Sequence, residues 1–118
     1  MDFREMLIEM LHNVDGAIAA SFCGVDGIGV DTVILEKDME PSEAEVEIST
    51  MLKVLGEIAG NLHAGKVRSF IFQAEKFDGI VEKCGDDYFL TILVKPSSNI
   101  GKSRYILRKY AMKLEKEI

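Results

Sequence analysis

The chain predicts an α+β domain built on a mostly antiparallel sheet, and three observations carry that prediction. Segments of helical period stand at the start, the middle and the end of the sequence. Two β-like runs separate the first helix from the second, and three more separate the second from the third. Strands grouped in this way pair with their neighbours through short turns rather than through helical crossovers, which gives α+β architecture. The length, 118 residues, is that of one domain with one core, so residues 1–118 are read as a single unit.

Residues 2–13 form the first helix. Phe3, Leu7, Met10, Leu11 and Val14 fall on one side, Asp2 is placed to cap it, and Asp15-Gly16 ends it. Residues 17–23 are small and apolar, and residues 28–35 supply Ile28, Val30, Val33 and Ile34; the Gly24-Val25-Asp26-Gly27 turn between them makes a hairpin. A strand as thin as Ala17-Ile18-Ala19-Ala20 suits a central place with helices close above and below. Residues 67–75, 77–84 and 87–95 form a meander broken at Glu75-Lys76 and Gly85-Asp86. The last of these is nearly continuous in apolar residues, the mark of a strand covered on both faces; the middle one is mixed, so less of it need be buried. Pro96-Ser97-Ser98-Asn99 ends the sheet and caps a final helix with Leu107, Ala111, Leu114 and Ile118 in one stripe and Lys102, Arg108, Lys109, Lys113 and Lys116 over much of the rest.

The long helix over residues 41–63 has more apolar surface than one small sheet can cover. Ala44, Ile48, Met51, Leu55, Ile58 and Leu62 lie within about one third of the circumference. Pro41 at the first position, or Ser42 with Glu45 as a capping box, starts it; Gly65 follows its end. Leu52 and Ala59 form a shoulder beside the stripe, and Ser49, Gly56 and Gly60 are small. The stripe is expected to cover the chain's own sheet. Ser49, Leu52, Gly56, Ala59, Gly60 and His63 are expected to meet a second copy. Each glycine costs about 1 kcal/mol against alanine in a helix, which a close helix crossing would explain, as would close packing on the chain's own sheet. The strand carrying Phe70, Ile71 and Phe72 would be a hydrophobic sheet edge in a monomer, and pairing with its twin removes that edge. Glu43, Glu47, Lys53 and Glu57 on the outer side of the helix are the candidates for contact with a third protein.

Composition narrows the function. Hydrophobic residues are 47% and charged residues 29%, which suits an ordinary globular domain. No apolar run is long enough to span a membrane, and the N-terminus has neither the basic start nor the apolar stretch of a signal peptide, so a cytoplasmic protein without stable membrane insertion is expected. The net charge of −6 divides into −10 over residues 1–60 and +4 over residues 61–118, and a net acidic domain argues against nucleic acid. Cys23 and Cys84 make no CxxC and no metal spacing. Two distant histidines, His12 and His63, supply no metal set, and no P-loop, HExxH or nucleophile elbow occurs. Neither a catalytic residue nor a cofactor or metal is expected, and the chain is read as a non-enzyme.

Several stretches together resemble the roadblock family, the dynein light chain roadblock and bacterial MglB-type proteins. These are Leu11 to Val30, with Gly16-Ala17-Ile18-Ala19-Ala20 and Gly24-Val25-Asp26-Gly27-Ile28; the helix from Ala44 to Leu62; and Gly85-Asp86-Asp87-Tyr88-Phe89-Leu90 followed by Ile100-Gly101. The resemblance implies a five-stranded antiparallel sheet in the order 2-1-5-4-3, with the first and last helices on one face and the long helix on the other. In that strand order Cys23 and Cys84 lie two strand spacings apart, about 9.5 Å, so both are free thiols. The resemblance further implies dimers joined through the long helix and third strand, and a regulator or scaffold that binds a small Ras-like GTPase of the MglA kind and modulates its nucleotide cycle or localisation. The other reading is a small-ligand sensor or a structural subunit of a larger motor or signalling complex.

Overall fold

The computed structural model describes residues 2–36 and 39–118. The elements are α1 (Phe3–His12), β1 (Ala17–Gly24), β2 (Gly29–Ile34), α2 (Pro41–Asn61), β3 (Ser69–Gln73), β4 (Asp78–Cys84), β5 (Tyr88–Val94) and α3 (Ile100–Glu115). Asp38, in the acidic stretch just ahead of α2 in the sequence, lies outside the described residues.

The five strands form one open antiparallel sheet in the order β2-β1-β5-β4-β3, as the resemblance implies. α1 and α3 cover one face. Leu7, Met10, Leu11, Ile106, Leu107, Tyr110 and Leu114 pack there on Ala20, Phe22, Ile80, Leu90, Ile92 and Val94. α2 covers the other face, where Ile48 and Leu52 meet Cys23, Val81 and Phe89. β5 at the centre is buried on both faces, as its apolar run requires.

Local chemistry accounts for the element ends. The Asp2 carboxylate accepts from the Arg4 and Glu5 amides, and the Asn99 side chain accepts from the Lys102 amide, so α1 and α3 each begin on a side-chain cap. In the β1–β2 turn the Gly27 amide donates to Gly24 O at 3.0 Å, the Ile28 amide donates to Asp26 Oδ1 at 3.0 Å, and Gly27 takes φ +89°. α2 starts on Pro41, and the capping box does not form: no side chain caps it, because Glu45 turns inward and accepts from the Thr32 hydroxyl at 2.6 Å. α2 also stops two residues earlier than expected. His63, at φ 58°, takes the left-handed position, and the Ala64 amide closes back on Ala59 O.

β4 corrects an expectation. Its mixed composition reads as a partly exposed strand, yet it is buried along almost its whole length, Asp78 and Glu82 included. α3 lies across it, and both acids have donors: Ala74 N at 3.2 Å for Asp78 and Arg108 Nε at 3.2 Å for Glu82. The third strand holds its neighbour to glycine. The Phe72 ring stands where a Cβ on Gly79 would be, so a side chain there would collide with it.

Cys23 and Cys84 are free and buried on strands separated by β5. Burial pushes the Cys23 thiol up from 9.0 to about 11, opposed by its Ser21 hydrogen bond and aided by Glu45. Burial, then the charges of Glu115 and Glu82, pushes Cys84 up to about 12.

Both thiols stay protonated in the folded chain at pH values where the unfolded chain has ionised. The stability they contribute is therefore whole below pH 9 and lost as pH rises towards 11 and 12. At pH 8 Ellman's reagent should label the native protein only as fast as it unfolds, and label both thiols at once in guanidinium; rapid native labelling would contradict the buried placement. In urea titrations of the dilute monomer, Leu52→Ala should cost about 2–5 kcal/mol, as a truncated core residue does. Leu62→Ala should stay within about 0.5 kcal/mol.

Candidate self-association surface

α2 is fastened to the sheet over its first half only. Its anchors are polar as well as apolar. A hydrogen-bonded chain runs from the Cys23 thiol to the Ser21 hydroxyl at 2.8 Å, on to the Thr32 hydroxyl at 2.9 Å and into the Glu45 carboxylate. A Cβ at Gly29 would meet that carboxylate, so glycine is what lets Glu45 reach the strand. One turn further on, the Ser49 hydroxyl donates to Val25 O at 2.7 Å and ties α2 to the β1–β2 turn.

Beyond Leu52 the helix leaves the sheet. Ile58 is 49% exposed and Leu62 72% exposed, with Val54 exposed beside them and Leu55 half-buried. A Cβ built at Gly56 or Gly60 has nothing within 4 Å, so neither glycine is explained by packing on the chain's own sheet.

The division of residues read from sequence is therefore corrected in both directions. Ile58 and Leu62, expected in the core, are exposed, because the second half of α2 has no sheet beneath it. Leu52, expected at a subunit contact, is 8% exposed and belongs to the chain's own core; Ser49 is a half-buried tether to Val25. Gly56, Ala59, Gly60 and His63 do lie together on the projecting half, with Ala59 half-buried and the others exposed. Glu43, Glu47, Lys53 and Glu57 are all exposed along α2.

Where α2 leaves the sheet uncovered, a groove of about 730 Å³ opens beside it. Ile18, Met51, Phe72, Phe77 and Leu93 give it an apolar floor, and Glu36, Glu40, Glu43, Glu47 and Lys76 its rim. Phe72 and Phe77 meet edge to face, ring centres 6.3 Å apart. The groove borders β3, which has no strand on its outer side. Phe70 and Phe72 face α2 and are partly buried on the chain's own clusters, whereas Ile71 points to the α3 face and is 38% exposed.

Sequence reasoning missed Glu45, Phe77 and Gly79. Glu45 had a signal: it sits one and two turns before Ile48 and Leu52, on the buried side. Phe77 and Gly79 had none, since only the ring of Phe72 across β4 makes them matter. Among the described residues no group of three His, Cys, Asp or Glu is placed to hold a metal ion, and no helix is long and apolar enough to cross a membrane.

No protein-family model and no curated protein matches the chain. Solved structures do. The MglB gliding protein of Thermus thermophilus superposes with a TM-score of 0.88 at 16% identity, covering 96% of this chain and 85% of that one. A Roadblock/LC7 domain from Streptomyces avermitilis superposes with a TM-score of 0.89 at 14% identity, covering 99% of this chain and 98% of that one. MglC from Myxococcus xanthus is 34% identical over 100% of both chains, with a TM-score of 0.70. That identity over full length, on a fold shared with Roadblock/LC7 and MglB structures, makes this chain a member of the roadblock family.

Proposed function

We propose that the chain is a non-enzymatic homodimeric regulatory or scaffold module that binds a small Ras-like GTPase of the MglA kind and modulates its nucleotide cycle or localisation. The observation that carries the self-association is the mismatch within one chain: an apolar half-helix with no sheet under it, and an apolar groove with no helix over it. Antiparallel pairing of β3 with its twin would answer both. It would set the start of the partner's β3, and with it the end of the partner's α2, beside the end of this β3, where the groove lies. Leu55, Ile58 and Leu62 would then cover Phe72 and Phe77, and Gly56 and Gly60 would let the two helices approach. Burying side chains of this size is worth about 1.5–3 kcal/mol each.

Glu43, Glu47, Lys53 and Glu57 would remain on the outside of the paired helices, open to the GTPase. Action on nucleotide hydrolysis would come through reshaping the GTPase rather than through an arginine inserted at the phosphate. The cytoplasm is the expected compartment.

Gly56→Leu separates self-association from folding. The position is open within the chain and leucine favours a helix over glycine by about 0.8 kcal/mol, so the monomer should be as stable as the parent or more so. Its mass by light scattering should fall from two copies to one. An unchanged dimer would remove α2 from the interface. In a pull-down with a GTP-loaded MglA-type GTPase, the parent should bind and Glu43→Lys/Glu47→Lys should bind more weakly; absence of binding by the parent would contradict the GTPase reading.

A further inference from the structure

The opposite face of the sheet has an opening of its own. α3 packs on β4 and β5 but not on β3, which leaves a groove of about 470 Å³ between the flank of α3 and the β3–β4 edge. Its floor holds Glu82, only 7% exposed. Glu82 Oε1 accepts from Arg108 Nε, while Oε2 is buried with no hydrogen-bond partner among the described residues. A buried carboxylate oxygen without a donor is unfavourable, and Glu82 is one of the residues lining the groove.

Arg108 is held by Nε alone. Its half-exposed guanidinium keeps both Nη groups free among the described residues, an edge that can take a carboxylate through two parallel hydrogen bonds. Arg68 and Lys83 stand in the same groove. Of its other acids, Asp86 is paired with Lys66 at 3.2 Å and Glu115 lines the groove one turn beyond Ala111 and Met112. Val67, Ala111 and Met112 make the remaining wall apolar, and Met112 is 59% exposed.

We propose that this groove docks an acidic amphipathic segment of a partner protein. A carboxylate of the segment pairs with Arg108 and Arg68, an N–H donates to Glu82 Oε2, and an apolar side chain covers Met112. The charge balance of the groove agrees with this pairing. Among the residues lining the groove the bases Lys66, Arg68, Lys83 and Arg108 outnumber the acids Glu82, Asp86 and Glu115, so an acidic segment is drawn to it. An anionic bilayer fits less well: it is flat, the groove is concave, and the buried group at its floor is itself an anion. Lys102, Lys109 and Lys113 on the other flank of α3 would be the residues that meet a membrane.

The test uses a fluorescein-labelled peptide of repeating Glu and Leu, the same peptide with Lys for Glu, and phosphatidylserine–phosphatidylcholine vesicles. The acidic peptide should bind in anisotropy titrations and move amide resonances of Val67, Arg68, Glu82, Lys83 and residues 108–115. Arg108→Gln should weaken it about tenfold. Met112→Asp, at an exposed position that leaves folding intact, should weaken it similarly. Both variants should keep the parent's mass, which separates loss of docking from loss of self-association. Any of four results would overturn the proposal: no binding of the acidic peptide, equal binding of the lysine peptide, resonance shifts confined to α2 or to α3 without Val67, Arg68 and Glu82, or binding to vesicles alone.

Discussion

Leu52 seated on Cys23, Val81 and Phe89 fixes where α2 crosses the sheet. Glu45 on Thr32 and Ser49 on Val25 fix its angle. With three anchors inside three turns, the helix cannot slide to cover β3, and its second half must run past the sheet. The exposed leucine and isoleucine of that half, the bare glycines and the uncovered floor at Phe72 and Phe77 all follow from one placement. Apolar surface this extensive is unfavourable in water, and isolated strand edges recruit other strands. The proposed self-association would answer both demands at once.

The other face obeys the same logic at smaller scale. α3 is seated by Leu107, Ala111 and Leu114 over β4 and β5, and its width does not reach β3. The least covered strand is thus the one at the edge. β2, the opposite edge, is treated differently: Arg4 donates to Thr32 O at 3.3 Å and the Thr32 amide donates to Asp31 Oδ1 at 2.8 Å, engaging backbone groups that another strand would need. A further strand would therefore find β3 the more open edge.

Much of this was legible in the residues. Turn glycines, cap residues and apolar period placed all eight elements to within a few positions, since each is a local property. The continuous apolar run of β5 announced a central strand. What the period could not give was the path of α2 over the sheet. A stripe of Ile48, Met51, Leu55, Ile58 and Leu62 looks uniform along the helix, yet the sheet beneath it ends after Leu52. For the same reason Leu52 was assigned outward and Leu62 inward. β4 misled because Asp78 and Glu82 read as solvent-facing, when their partners come from Ala74 and Arg108, 4 and 26 residues away. Small residues at Gly56 and Gly60 were informative because they serve nothing inside the chain.

Amide hydrogen exchange measured as a function of protein concentration tests the central claim most directly. If a second copy covers the projecting half of α2 and the edge of β3, amides of residues 55–61 and the outward amides of Ser69–Gln73 gain protection together as concentration rises. Exchange in both segments that is fast and independent of concentration would contradict the account.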